Sequence, residues 1–154
     1  MSNLIHLIYV STAMQKFSDE DLLQLLDQAR AKNERLGLTG MLLYNEHNFF
    51  QVLEGEPAVV DELFHTISQD ERHMKTVTII REPIAKRSFG EWTMGFAAVT
   101  SADLQDITGL NDFFGEGSSF AQLNAGRAKK LLNAFKEGRW RSKLNVPTQE
   151  LVTQ

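Results

Sequence analysis

Leu4 to Val10 is an almost unbroken apolar and β-prone run, which predicts a buried strand. Ser18-Asp19-Glu20-Asp21 then has the form of a helix start, with Ser18 as N-cap and acids in the first turn, where they suit the positive end of the helix dipole. The predicted helix runs to about Leu36, and Gly37 is placed to end it. Met41 to Tyr44 and Phe49 to Leu53 are two further apolar runs, and the polar cluster Asn45-Glu46-His47-Asn48 between them predicts an antiparallel hairpin. Pro57 falls in the first turn of a second helix, where a missing N–H does no harm. Val59, Val60, Leu63, Phe64 and Ile67 form its apolar stripe, and Asp70-Glu71-Arg72-His73 its polar end. Thr76 to Ile80 is a β-branched strand, and Glu91 to Val99 is the last one.

The order βαββαββ predicts an α+β fold, a ferredoxin-like sandwich with helices packed on one face of a mixed sheet. After Val99 the character changes: Ser101 to Ile107 reads as a short helix, Phe113 to Ser119 as a Gly-rich loop, and Phe120 to Glu137 as a longer helix with Leu131, Leu132 and Phe135 on one side. We therefore expect a core over residues 1–99, a C-terminal helical extension over 100–140 serving as cap and output segment, and a polar tail over 141–154.

With 154 residues, 42% of them hydrophobic, the chain has room for one core and an extension. No apolar run reaches the roughly 20 residues that span a bilayer, and the expected location is cytoplasmic. The absence of cysteine excludes disulfides, thiolate metal sites and cysteine nucleophiles. A net charge of -4 argues against nucleic acid as partner. Arg127, Lys129, Lys130, Lys136, Arg139, Arg141 and Lys143 nevertheless crowd the C-terminal part; they read as the solvated face of a helix, or as a match for an acidic surface.

Several polar residues stand where the pattern asks for apolar ones. Residues two apart on a strand share a face, so Ile5, Leu7 and Tyr9 lie together, as do Phe49, Gln51 and Leu53, and Trp92, Met94 and Phe96. Gln51 is an amide among aromatic and aliphatic neighbours, and without a partner it would cost about 1–3 kcal/mol. A tyrosine or backbone group satisfying it for structural reasons alone is the plain explanation. On the first helix, Leu22, Leu26, Ala29, Asn33 and Leu36 share a stripe with Lys32 at its edge, which turns Asn33 toward the sheet. Tyr9, Asn33 and Gln51 together would suit a flat heteroaromatic ligand with a polar edge and apolar faces. Arg72 and His73 are an ordinary basic helix end, and are equally equipped to meet a phosphate.

Leu7-Ile8-Tyr9-Val10-Ser11, Phe49-Phe50-Gln51-Val52-Leu53-Glu54-Gly55, Asp70-Glu71-Arg72-His73 and Trp92-Thr93-Met94, with their spacing from about Leu4 to Val99, closely resemble the BLUF family of flavin-binding blue-light sensors. The resemblance implies that Tyr9 and Gln51 form the photoactive pair beside the flavin ring, and that Asn33 hydrogen-bonds its polar edge. Lys32 and Ala29 stand at positions near the ring, Ala29 where some members have serine. Asp70, Arg72 and His73 are implied to hold or order the ribityl-phosphate region, and Trp92 and Met94 to carry the signal outward. The implied cofactor is FAD, with FMN as the other candidate. In the implied cycle Tyr9 yields an electron and a proton under blue light, and Gln51 ends rotated or tautomerised with a red-shifted oxidised flavin. This is a switch between hydrogen-bond networks, not turnover.

The leading expectation is a short, stand-alone, non-enzymatic photoreceptor whose output is a changed contact with a downstream regulatory protein, working as a homo-oligomer. A small flavin-dependent oxidoreductase using the same pocket is the alternative, for which no G-x-G-x-x-G fingerprint is present. A ferredoxin-like interaction module with a filled core is the third.

Overall fold

The computed structural model describes residues 3–13, 18–45, 47–69, 73–90 and 94–98, and in the C-terminal part residues 104, 107, 109–111, 113 and 120–136. Strand β1 (Leu4–Ala13), helix α1 (Asp19–Leu36), strands β2 (Thr39–Asn45) and β3 (Asn48–Gly55), helix α2 (Pro57–Ser68), and strands β4 (His73–Ile84) and β5 (Gly95–Ala98) follow the expected order; a 3-10 turn at Phe120–Gln122 and helix α3 (Ala125–Lys136) come after them. The strands form one sheet in the order β4-β1-β3-β2-β5, antiparallel throughout except for the parallel β2–β5 pair.

The predicted caps are where the sequence put them. Ser18 Oγ accepts from Asp21 N at 3.1 Å while Asp21 Oδ2 accepts from Ser18 N at 3.2 Å, a reciprocal box that satisfies two orphan donors. Gly37 ends α1 with φ 72°, a left-handed conformation in which a side chain would be strained.

Three boundaries differ from the sequence reading. β4 extends well beyond Thr76–Ile80, because it runs antiparallel to all of β1, from Leu4↔Ile84 to Ala13↔His73. Its polar residues hide it: at the sheet's edge Arg81, Glu82 and Pro83 are tolerated as they would not be in a central strand. The polar end assigned to α2 is shorter, since the helix stops at Ser68 with Gln69 as its C-cap, and His73 belongs to β4. The long helix expected from Phe120 is interrupted, because Asn124 Oδ1 accepts from Arg127 N at 2.9 Å and starts α3 afresh. Most of the expected 101–107 helix and 113–119 loop, the tail from Val146, and the flanks of β5 lie outside the described residues.

Both faces of the sheet are buried, which explains why the strands read as continuous apolar runs. Ile5, Leu7 and Tyr9 meet Leu22 and Leu26 of α1 and Val60 and Leu63 of α2 on one face. Ile8, Val10, Met41, Leu43, Phe50 and Val52 meet Phe120, Leu131 and Leu132 on the other. Each fully buried leucine in these layers contributes about 2 kcal/mol.

Glu54, fully buried, fixes the connection between β4 and β5. Its carboxylate accepts from Thr39 Oγ1 at 2.9 Å, Ser88 N at 2.6 Å and Phe89 N at 3.0 Å. Arg87 completes the cluster, donating to Thr39 Oγ1 and Glu54 O at 2.9 Å each and to Gly37 O at 2.8 Å.

A second polar chain ties α3 to the sheet. His6 Nε2 lies 2.9 Å from Glu82 Oε1, and Lys129 Nζ lies 3.5 Å from the same oxygen. The His6 hydrogen bond, with Lys129 assisting, holds the Glu82 carboxyl below its ordinary value although burial opposes the shift. A depressed carboxylate stabilises the fold above the ordinary range, and that contribution fades as pH falls through the folded value. Glu82→Gln is therefore expected to lower the melting temperature near neutrality and to converge with the native chain as pH falls through the folded value, below the ordinary carboxylate range. A gap independent of pH would disprove the contribution of Glu82's charge.

Candidate functional site

Tyr9 and Gln51 are direct partners in the β1–β3 register, and Gln51 also faces Leu42 across the β2–β3 ladder. Their side chains emerge on the face covered by α1 and α2, where the Tyr9 hydroxyl donates to Gln51 Oε1. The other end of the amide is also engaged: Gln51 Nε2 donates to Met94 Sδ at 3.7 Å. The buried amide noted in the sequence is thus satisfied on both sides, one of them by a thioether, a weak acceptor. Tyr9 is fully buried, its ring edge-on to Phe64 at 4.9 Å, and burial pushes its phenol well above the usual value. It holds its proton at any physiological pH.

Between α1, α2 and the sheet lies an open pocket whose empty space, solvent at its mouth included, is about 740 Å³. Leu25, Ala29, Leu42, Leu63 and Ile67 supply apolar walls, and Tyr9, Gln28, Lys32, Asn33, Gln51 and Thr66 supply polar groups. Asn33 is 1% exposed, as its place on the inward stripe implies.

The structure therefore brings together Tyr9, Ala29, Lys32, Asn33 and Gln51 around one pocket, with Met94 behind Gln51. Asp70, Arg72 and Trp92 lie outside the described residues, and His73 is described by its backbone alone. Gln28 and Thr66 escaped the sequence reading. Gln28 precedes the inward position Ala29 and falls four residues before Lys32, a spacing that could have found it. Thr66 beside Ile67 carries no such signal. Arg30 was also missed; its Nε donates to Met94 O at 2.9 Å.

A family model described as sensors of blue-light using FAD, BLUF, matches residues 4–95. The chain belongs to the BLUF family. The match takes in β1 through the start of β5, and with it Tyr9, Asn33, Gln51 and Met94. Among relatives, the BLUF chain is 37% identical over 95 residues to photoactivated adenylate cyclase subunit alpha of Euglena gracilis, covering 60% of this chain and 9% of that one. It is 30% identical over 120 residues to the blue light- and temperature-regulated antirepressor BluF of Escherichia coli, covering 78% of this chain and 29% of that one. It spans less than a third of either relative. Among solved structures, the ground state of BlsA superposes with a TM-score of 0.72 at 31% identity, covering 86% of this chain and 87% of that one. These likenesses bear out the ferredoxin-like α+β expectation and support a blue-light sensor over a small flavoenzyme. Among the described residues no helix is long and apolar enough to cross a membrane.

Proposed function

We propose that this BLUF domain is a non-enzymatic blue-light photoreceptor that binds FAD non-covalently and reports its light state through a changed contact with a downstream protein. The observation that carries the reading is the buried Tyr9–Gln51 hydrogen bond facing the pocket, because a switch of this kind needs a phenol and an amide that can exchange roles beside the ligand. The pocket suits a flavin: its apolar walls match the faces of a flat ring, and the Asn33 and Gln51 amides match a polar edge. Asn33, Lys32 and Ala29 would hold the ring region, and Asp70, Arg72 and His73 the ribityl-phosphate region. When bound, the flavin supplies the absorption of blue light and accepts an electron.

The protein's part is proton placement. The Tyr9 Oη proton lies on the bond to Gln51 Oε1, so a proton moved along it reaches the amide oxygen. Exchange of oxygen and nitrogen in the Gln51 amide then aims a different group at the pocket and at Met94 Sδ. Burial of both side chains keeps water from short-circuiting the exchange. Trp92 and Met94 would pass the change to the segment beyond residue 99, and the oligomeric, cytoplasmic working form expected from the sequence belongs to this same proposal.

The test is spectroscopic. Purified protein loaded with FAD is expected to red-shift under blue light without reductant and to recover in the dark. NADH-dependent bleaching without a shift would support the oxidoreductase alternative.

Two variants separate the binding contacts. Asn33→Ala is expected to weaken FAD binding by about tenfold, the loss of roughly one hydrogen bond. Arg72→Ala is expected to weaken it more at low salt than at high salt, since salt screens a charge-assisted contact. Unchanged affinity in both, measured by titrating apoprotein across salt, would remove these assignments.

A further inference from the structure

Arg30 adjoins the pocket stripe of α1 without lining the pocket, one residue after Ala29 and three before Asn33. Its half-buried guanidinium instead reaches the sheet, donating from Nε to Met94 O at 2.9 Å. Met94 immediately precedes β5, whose Gly95 pairs with Met41 of β2, and its Sδ accepts from Gln51 Nε2 at 3.7 Å. Arg30, Met94, Gln51 and Tyr9 thus form one connected chain of contacts from α1 across the sheet to β1. The connection before β5 is tied at its other end by Glu54, which takes Phe89 N at 3.0 Å. Four residues, Gly90 to Thr93, separate the two ties.

We propose that Arg30 is a positioning residue of the photoswitch: by holding the Met94 carbonyl it keeps Sδ against Gln51 Nε2 and sets the lifetime of the lit arrangement. The proposal rests on the photoreceptor reading above. An amide that exchanges its oxygen and nitrogen puts a carbonyl oxygen where an N–H faced sulfur. A favourable contact then becomes one between two electron-rich atoms, and the Met94 side chain must shift. The unbranched thioether shifts easily, but the backbone behind it is held by a charge-assisted hydrogen bond. Arg30 therefore stabilises the arrangement to which the dark reaction returns, and guides Met94 back into it.

Three variants of the FAD-loaded full chain test this. Arg30→Gln puts an amide nitrogen at the same place along the side chain as Nε, and can restore the donor without the charge. Arg30→Met puts a methyl there, and Arg30→Lys a methylene with the charge one bond beyond. The readouts are dark recovery after a blue pulse and amide hydrogen exchange of peptides covering residues 94–98 in the dark. Arg30→Met and Arg30→Lys are expected to recover about tenfold more slowly and to exchange faster, with flavin content and shift amplitude unchanged. Arg30→Gln is expected to stay within about threefold of native. Native recovery in Arg30→Met overturns the proposal, as does rescue by Arg30→Lys but not by Arg30→Gln, which would assign the effect to charge. Should Arg30→Met lose its flavin, the Lys and Gln variants decide by the same criteria. A native chain with no light-induced shift overturns the photoreceptor reading and this proposal together, whereas a native shift with unaltered variants overturns this proposal alone.

Discussion

Gln51→Leu is expected to keep its flavin and lose the lasting red shift under blue light, and Tyr9→Phe to do the same from the other side of the bond. Leucine removes both the acceptor for the Tyr9 hydroxyl and the donor to Met94 Sδ, so no second hydrogen-bond arrangement remains to be reached. Phenylalanine removes the proton that would move. Each change roughly preserves volume. The partner left behind loses a hydrogen bond in a buried place, a cost of about 1–3 kcal/mol that a fold of ordinary stability survives. The measurement is a difference spectrum before and after illumination, followed through dark recovery, with flavin content and melting temperature checked first. A normal reversible shift in either folded variant would dismantle the assigned pair.

Gly40→Ala is expected to be the most damaging single-methyl change in the described sheet. A Cβ at Gly40 would sit 1.9 Å from Val52 O and 3.0 Å from its carbonyl carbon, both backbone atoms of the neighbouring strand. No rotamer relieves that clash, so β2 and β3 must separate, and β3 carries Gln51 to its place opposite Tyr9. The expected loss is about 3 kcal/mol or more, read from the urea midpoint of the apoprotein with unchanged slope. A variant within about 0.5 kcal/mol of native would show that the two strands do not approach as closely as this requires. Flavin binding should weaken alongside stability, because the same strand forms the pocket floor.

Signals that act over short stretches were legible in the chain itself. The Ser18–Asp21 box, Gly37 as the stop of α1, Pro57 at the start of α2 and the period-two alternation that puts Tyr9 and Gln51 on inward faces all depend on neighbours within a few residues. Asn33 was legible for the same reason, as a polar member of an otherwise apolar helical stripe. The family motif then supplied roles that the pattern alone could not, since a buried tyrosine–glutamine bond is in itself an ordinary way to satisfy an amide.

What the tertiary structure decided depends on distances between residues far apart in the chain. Arg30 reads as one more helix-surface arginine until β5 brings the Met94 carbonyl to it across 64 positions of sequence. Glu54 is one letter of a motif in the sequence, and its burial is settled only where Ser88 and Phe89 fold over it and satisfy its charge. Gly40 reads as a residue opening an apolar run, and its need to be glycine arises from the carbonyl of the next strand. Periodicity specifies which way a side chain points; the packing of strands and helices determines what it meets there, and desolvated polar groups accept few partners.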